Sequence, residues 1–118
     1  MSKKIHIEFE GETYTLFFTK RVCKNMEQAG FVADEVPNKP HTMIPMLVRG
    51  AFQANHPLVN DKLRDRIYDS LFDKPGFIEV LGELYNEPML ELIADPDGDE
   101  KNAPKWRKSW ADPTDEKD

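Results

Sequence analysis

The stretch KIHIEFEGETYTLFFT, residues 4–19, constrains the fold more than any other part of the chain. Ile5, Ile7 and Phe9 alternate with Lys4, His6, Glu8 and Glu10, and Tyr14, Leu16 and Phe18 resume the alternation after Gly11. A period of two puts the apolar set on one face of a strand pair, so a β-hairpin is expected over residues 4–18. The turn can use Glu10 and Gly11 or Gly11 and Glu12. The second is favoured, because glycine suits the first position of a type II′ turn. Phe9 then pairs with Tyr14, Ile7 with Leu16 and Ile5 with Phe18, which gives every apolar residue an apolar partner across the ladder. A lone hairpin is marginal in water and needs a cover for its apolar face.

Helices supply that cover. Thr19 is a suitable N-cap for KRVCKNMEQAGF, in which Val22, Cys23, Met26 and Ala29 recur at helical spacing. Gly30 followed by Phe31 fits a Schellman ending, with Phe31 against Met26. VADEVPNKPH has no usable period and contains Pro37 and Pro40, so it is expected to be a loop. Thr42 is expected to cap the next helix, placing Pro45 in the first turn, where a missing N–H does no harm. Ile44, Leu47, Val48, Ala51 and Phe52 form its stripe, with Gly50 inside either for close backbone approach or simply tolerated. Val59, Leu63, Ile67 and Leu71 mark an amphipathic surface helix started by Asn60 or Pro57, and Phe77 to Ile93 carry a last stripe broken by Pro88. A kink, or a restart capped by Asn86, is expected there. The fold class is therefore α+β and mostly α: an N-terminal β-hairpin packed on a bundle of about four helices, near residues 20–29, 43–55, 59–72 and 74–93, in one domain spanning 1–94.

Beyond residue 94 the character changes. Residues 95–118 hold eight acids, five bases and three prolines with almost nothing to bury, so a flexible, disordered acidic C-terminal tail is expected. It accounts for the low hydrophobic fraction of 39% and the mean hydropathy of -0.66. A formal net charge of -6 and a pI near 5.1 repel phosphate backbones, so no nucleic-acid partner is expected. No apolar run approaches the length of a membrane span, and MSKKIHIEF lacks the apolar region of a signal peptide. The single cysteine, Cys23, permits no intrachain disulfide and suits a reducing compartment; the cytoplasm fits best.

No catalytic, cofactor or metal set emerges. Cys23 lies on an apolar stripe, where a thiol is inert, and His6, His41 and His56 lack metal spacing. DPDGDE puts Asp95, Asp97 and Asp99 where a calcium loop would, but Glu100 stands where glycine is needed and Trp106 where glutamate is. KWRKSW stands apart. It carries both tryptophans, Trp106 and Trp110, one helical face apart with Arg107 between them, and tryptophan and arginine are the residues most enriched at binding hot spots. It is read either as a segment that folds on a partner through Trp106, Arg107 and Trp110 or as one that docks back on its own domain.

The hairpin running into a helix, IEFEGETYTLFFTKRVCKNMEQAGF, then KPHTMIPMLVRGAFQANHP, IYDSL and LGELYNE, together covering roughly residues 5–87, resembles the small tail assembly chaperones of long-tailed (siphovirus-type) bacteriophages and prophages. The resemblance implies a non-enzymatic protein of the host bacterial cytoplasm that binds the apolar tape measure protein and keeps it soluble. Tail tube subunits polymerise around that client, and the chaperone is absent from the mature virion. It also implies that a frameshifted longer product recruits the tail tube protein. For such a role Met43, Met46 and Met89 would line an adaptable apolar groove, and the hairpin's strand edges would allow self-association. The alternatives are a small neck or tail component retained in the particle and an interaction or regulatory protein acting through KWRKSW.

Overall fold

The computed structural model describes residues 3–95 and 103–111. It shows a two-stranded antiparallel hairpin followed by four α-helices. Strand β1 (Ile5–Phe9) and strand β2 (Glu12–Leu16) flank a turn at Glu10 and Gly11, whose φ angles are 51° and 83°. Two left-handed residues make a type I′ turn, whose twist matches that of the strands it joins. The register is Ile5 with Leu16, Ile7 with Tyr14 and Phe9 with Glu12. The pairing expected from a turn at Gly11 and Glu12 is therefore corrected by two residues. A slip of two preserves the apolar face, and it frees Phe18 from the ladder. Phe18 instead enters the core at 7% exposure, edge-on to Tyr85 at 5.5 Å, while Phe9 stacks under the Arg66 guanidinium at 5.3 Å.

Helix α1 (Lys20–Gln28) starts at Thr19, whose hydroxyl accepts from the Val22 N–H at 3.1 Å. It ends in a Schellman motif: Phe31 N–H donates to Met26 C=O at 2.9 Å and Gly30, with φ 102°, donates to Glu27 C=O at 3.0 Å. Val22 and Met26 are buried, but Ala29, expected on the stripe, is the exposed C-cap. The proline-containing loop holds a short 3-10 turn, Ala33–Glu35.

Helix α2 (Pro40–Gln53) begins before the expected cap. Lys39 is the N-cap, without a side-chain bond, and Pro40 occupies the first turn, where its fixed φ favours initiation. Thr42 is thus inside the helix and Pro45 lies beyond the first turn, so Pro45 withholds the hydrogen bond that His41 C=O would otherwise accept. Both residues are exposed, and water can serve that carbonyl. Met43, Leu47, Val48, Gly50, Ala51 and Phe52 form the buried face, against which α1, β2 and the two later helices all pack.

Helix α3 (Asp61–Ser70) is capped by Asn60, which accepts from the Leu63 N–H at 2.8 Å. Helix α4 (Lys74–Ile93) is capped by Asp73 in the left-handed region, φ 57°, through a 3.2 Å bond from the Gly76 N–H. Lys74 Nζ donates back to the carbonyls of Asp69 and Leu71 at 3.0 and 2.9 Å, tying the end of α3 to the start of α4. The helix runs unbroken through Pro88, with no restart at Asn86. Among the described residues no buried side-chain nitrogen or oxygen lacks a hydrogen-bond partner.

Gly50 sits at a close approach between elements. A Cβ there would run into Met26 Sδ, with Met26 Cε at 3.0 Å and Phe18 Cε1 at 3.1 Å. Gly82 in α4 has nothing within 4 Å of the same position. The two glycines therefore respond oppositely to one substitution. Gly82→Ala gains about 0.5–1 kcal/mol from helix propensity and a stiffer unfolded chain. In Gly50→Ala that gain is offset by overpacking of about 1–3 kcal/mol, for a net loss of up to about 2.5 kcal/mol. Thermal melts check this: Tm falls for Gly50→Ala and rises for Gly82→Ala. Equal shifts would refute the close approach.

Candidate functional site

The face of α4 that meets the rest of the domain carries Leu81 at 0% and Leu84 at 2% exposure, with Pro88 one turn further on. Among the described residues, those of α4 after Pro88 are all exposed. Met89, Leu90, Leu92 and Ile93 are 50%, 54%, 67% and 73% exposed. At 100° per residue they fall within an arc of about 160°, so they form one continuous apolar face at the end of the helix. Glu79, Glu83, Glu87 and Glu91 repeat at four-residue spacing along the same helix. Lys3 closes on this row: its N–H donates to both carboxylate oxygens of Glu87 at 3.2 and 3.3 Å, and its Nζ lies 3.8 Å from Glu83. Beside it is an open cleft of about 480 Å³ with Phe17, Phe18 and Pro88 in its wall and Lys20, Arg21 and Glu91 among its lining. An uncovered apolar helix end with an acidic flank is suited to a helical partner carrying apolar and basic side chains.

The residues singled out in the sequence do not share one surface. Met43 is 6% exposed and belongs to the core, which corrects its assignment to a partner-binding groove. Met46 is half-buried in a second cleft, of about 330 Å³, between α2 and α3. Only Met89 reaches the exposed helix end. Leu90, Leu92 and Ile93 were not among the candidates, because PMLELI continues the helical stripe and reads as core; periodicity does not reveal that the covering elements stop at Pro88. Trp106 and Trp110 are 88% and 67% exposed in a segment without helix, so the shared helical face expected of them is not formed. Lys108 Nζ lies 5.8 Å over the Trp110 ring and Arg107 is exposed. The acidic stretches on either side, 96–102 and 112–118, lie outside the described residues.

The α2–α3 cleft holds a charge that its helical pattern did not suggest. Arg64 is 8% exposed; its Nη1 donates to Val59 C=O at 2.6 Å and its Nη2 pairs with Asp61. Burial, then the nearby Arg49, lower its pKa, with Asp65 opposing. The guanidinium thereby joins the first turn of α3 to the loop that precedes it. His56 Nε2 accepts from the Thr15 N–H at 3.0 Å and His6 Nδ1 meets Thr15 Oγ1 at 3.0 Å. The tautomer of His56 is thus the one with its proton on Nδ1. Among the described residues no group of three or more His, Cys, Asp or Glu is placed to hold a metal, and no helix is long and apolar enough to cross a membrane.

A protein-family model described as Domain of unknown function (DUF5055) matches residues 1–110, and the chain belongs to that family. No curated protein and no solved structure matches it.

Burial, and secondarily Glu27, push the Cys23 thiol from its ordinary 9.0 up to about 11, and burial, then Cys23 and Glu27, push Tyr85 up to about 12. The thiol donates to the Tyr85 carbonyl at 3.8 Å. Both groups hold their protons more firmly in the fold than in the unfolded chain. Their contribution to stability is therefore complete below about pH 9 and is lost as pH rises through about 9–11 for Cys23 and 10–12 for Tyr85. Denaturant midpoints measured at rising pH should fall across this window, and Cys23→Ala should flatten its lower half. A midpoint that stays level to pH 11 would contradict the assignment.

Proposed function

We propose that this member of the DUF5055 family is a tail assembly chaperone of a long-tailed bacteriophage. In this reading it binds the tape measure protein in the host cytoplasm, keeps it soluble while tail tube subunits assemble around it, and leaves before the particle is complete. The observation that carries the reading is the uncovered end of α4. Met89, Leu90, Leu92 and Ile93 are apolar residues that a self-sufficient domain would cover, and they stand on a regular helix ready to pack against another. A holdase needs this combination: apolar surface on a stable body whose net charge of -6 keeps the complex in solution. The hairpin-to-helix sequence that resembles the chaperone family supports the same reading from an independent direction. Recruitment of the tail tube protein through a longer, frameshifted product is part of the proposal.

A second reading, an interaction protein acting through KWRKSW, is favoured by the exposure of Trp106 and Trp110. The two readings place the contact on different residues, so substitutions separate them.

The test is co-expression with the tape measure protein of the same genome, followed by pull-down and measurement of its soluble fraction. The full chain is expected to raise that fraction severalfold. Leu90→Asp combined with Ile93→Asp should abolish the gain while changing stability by no more than about 0.5 kcal/mol, as expected of exposed positions. If the gain survives this pair but is lost with Trp106→Ala and Trp110→Ala, the contact belongs to KWRKSW. If the wild-type chain neither binds nor solubilises the tape measure protein, the chaperone reading fails.

A further inference from the structure

The two edges of the hairpin are not equivalent. Thr15 sends its N–H to His56 Nε2 at 3.0 Å and receives Asn55 Nδ2 on its carbonyl at 3.4 Å, so its backbone polar groups point away from β1 and are occupied by the end of α2. In an antiparallel ladder, residues directly opposite each other either exchange both bonds or both point outward. His6 is opposite Thr15. Its N–H and C=O therefore point out from the other edge, and the period of two places those of Lys4 and Glu8 beside them. Outside the hairpin's own ladder, the backbones of His6 and Glu8 have no hydrogen-bond partner among the described residues.

We propose that this edge pairs with the β1 edge of a second copy, joining the two hairpins into one four-stranded sheet about a two-fold axis at His6. Outward-pointing groups must meet outward-pointing groups, and of the registers this allows, His6 opposite His6 is the one that sets Lys4 opposite the second copy's Glu8 at both ends. The exposed face thus brings opposite charges together twice, each a stabilising cross-strand pair. On the other face Ile5 falls opposite the second copy's Ile7, covering apolar surface that the half-buried Ile5 leaves wet in the monomer. Charges on an edge strand ordinarily discourage pairing with other chains. Here they are arranged antisymmetrically about His6, so they repel most strands and match their own copy. Because Asn55 and His56 occupy the far edge at Thr15, the sheet closes as a dimer and does not extend into a filament. This assignment does not depend on the chaperone reading.

Sedimentation of the full chain at low salt, from micromolar to near-millimolar concentration, tests it. The expected result is a monomer–dimer equilibrium in which Lys4→Glu and Glu8→Lys each raise the dissociation constant about tenfold, while the double variant K4E/E8K restores it. Both positions are exposed, and circular dichroism confirms that each variant folds. Hydrogen exchange should show the His6 and Glu8 amides gaining protection with concentration. A chain that stays monomeric throughout overturns the proposal. So does a dimer indifferent to K4E, a double variant no tighter than the single ones, or a dimer whose His6 and Glu8 amides exchange as in the monomer. The last outcome would place the contact at the apolar end of α4.

Discussion

The close approach at Gly50 is the constraint around which this domain is built. Met26 from α1 and Phe18 from the end of the hairpin reach the backbone of α2 at that one position, and a single methyl group would collide with both. Next to it Ala51 and Phe52 are 0% and 1% exposed, and all the other helices and β2 pack on the same element. Helical stability in a protein comes chiefly from such packing. That explains why α2 tolerates a start without a side-chain cap and a proline beyond its first turn. Its neighbours hold it in place more than its own propensities do.

Polar side chains then finish the joints between elements, in each case by serving backbone groups that secondary structure leaves unpaired. His56 and Asn55 close the edge of β2, Arg64 takes the Val59 carbonyl ahead of α3, and Lys74 takes two carbonyls at the end of α3. These contacts are also what makes the molecule asymmetric. One strand edge is sealed by the chain's own helix while the other is open, and one end of α4 is buried while the other protrudes. The surfaces available to partners are the places where the domain runs out of its own material.

Exposed apolar residues such as Leu58 and Phe72 stand singly in loops, while others cluster. Met89, Leu90, Leu92 and Ile93 cap the long helix, and Trp106 and Trp110 follow a short distance along the chain. A net charge of -6 offsets the tendency of such surface to aggregate. The half-buried thiol of Cys23 and the committed ring of His56 serve packing and the sheet edge, and each is already occupied by a neighbour within the fold.

Much of the architecture was legible in the order of residues. Alternation around Gly11 specifies a hairpin and which face of it is apolar; Thr19, Gly30 and Asn60 mark helix ends because their capping bonds are local. The turn type, the shift of two in register and the early start of α2 at Pro40 were not legible, because a two-residue slip leaves the apolar pattern unchanged and only the core's demand for Phe18 decides between the alternatives. The candidate site followed the same division. Trp106 and Trp110 could be singled out from composition alone, whereas Met43 and Ile93 look alike in sequence and end up 6% and 73% exposed. The sequence by itself determined the elements, their amphipathic faces and their caps, since those depend on residues a few positions apart. Only the tertiary structure decided which apolar faces stay uncovered and which strand edge stays open, because burial depends on what stands opposite a residue in space.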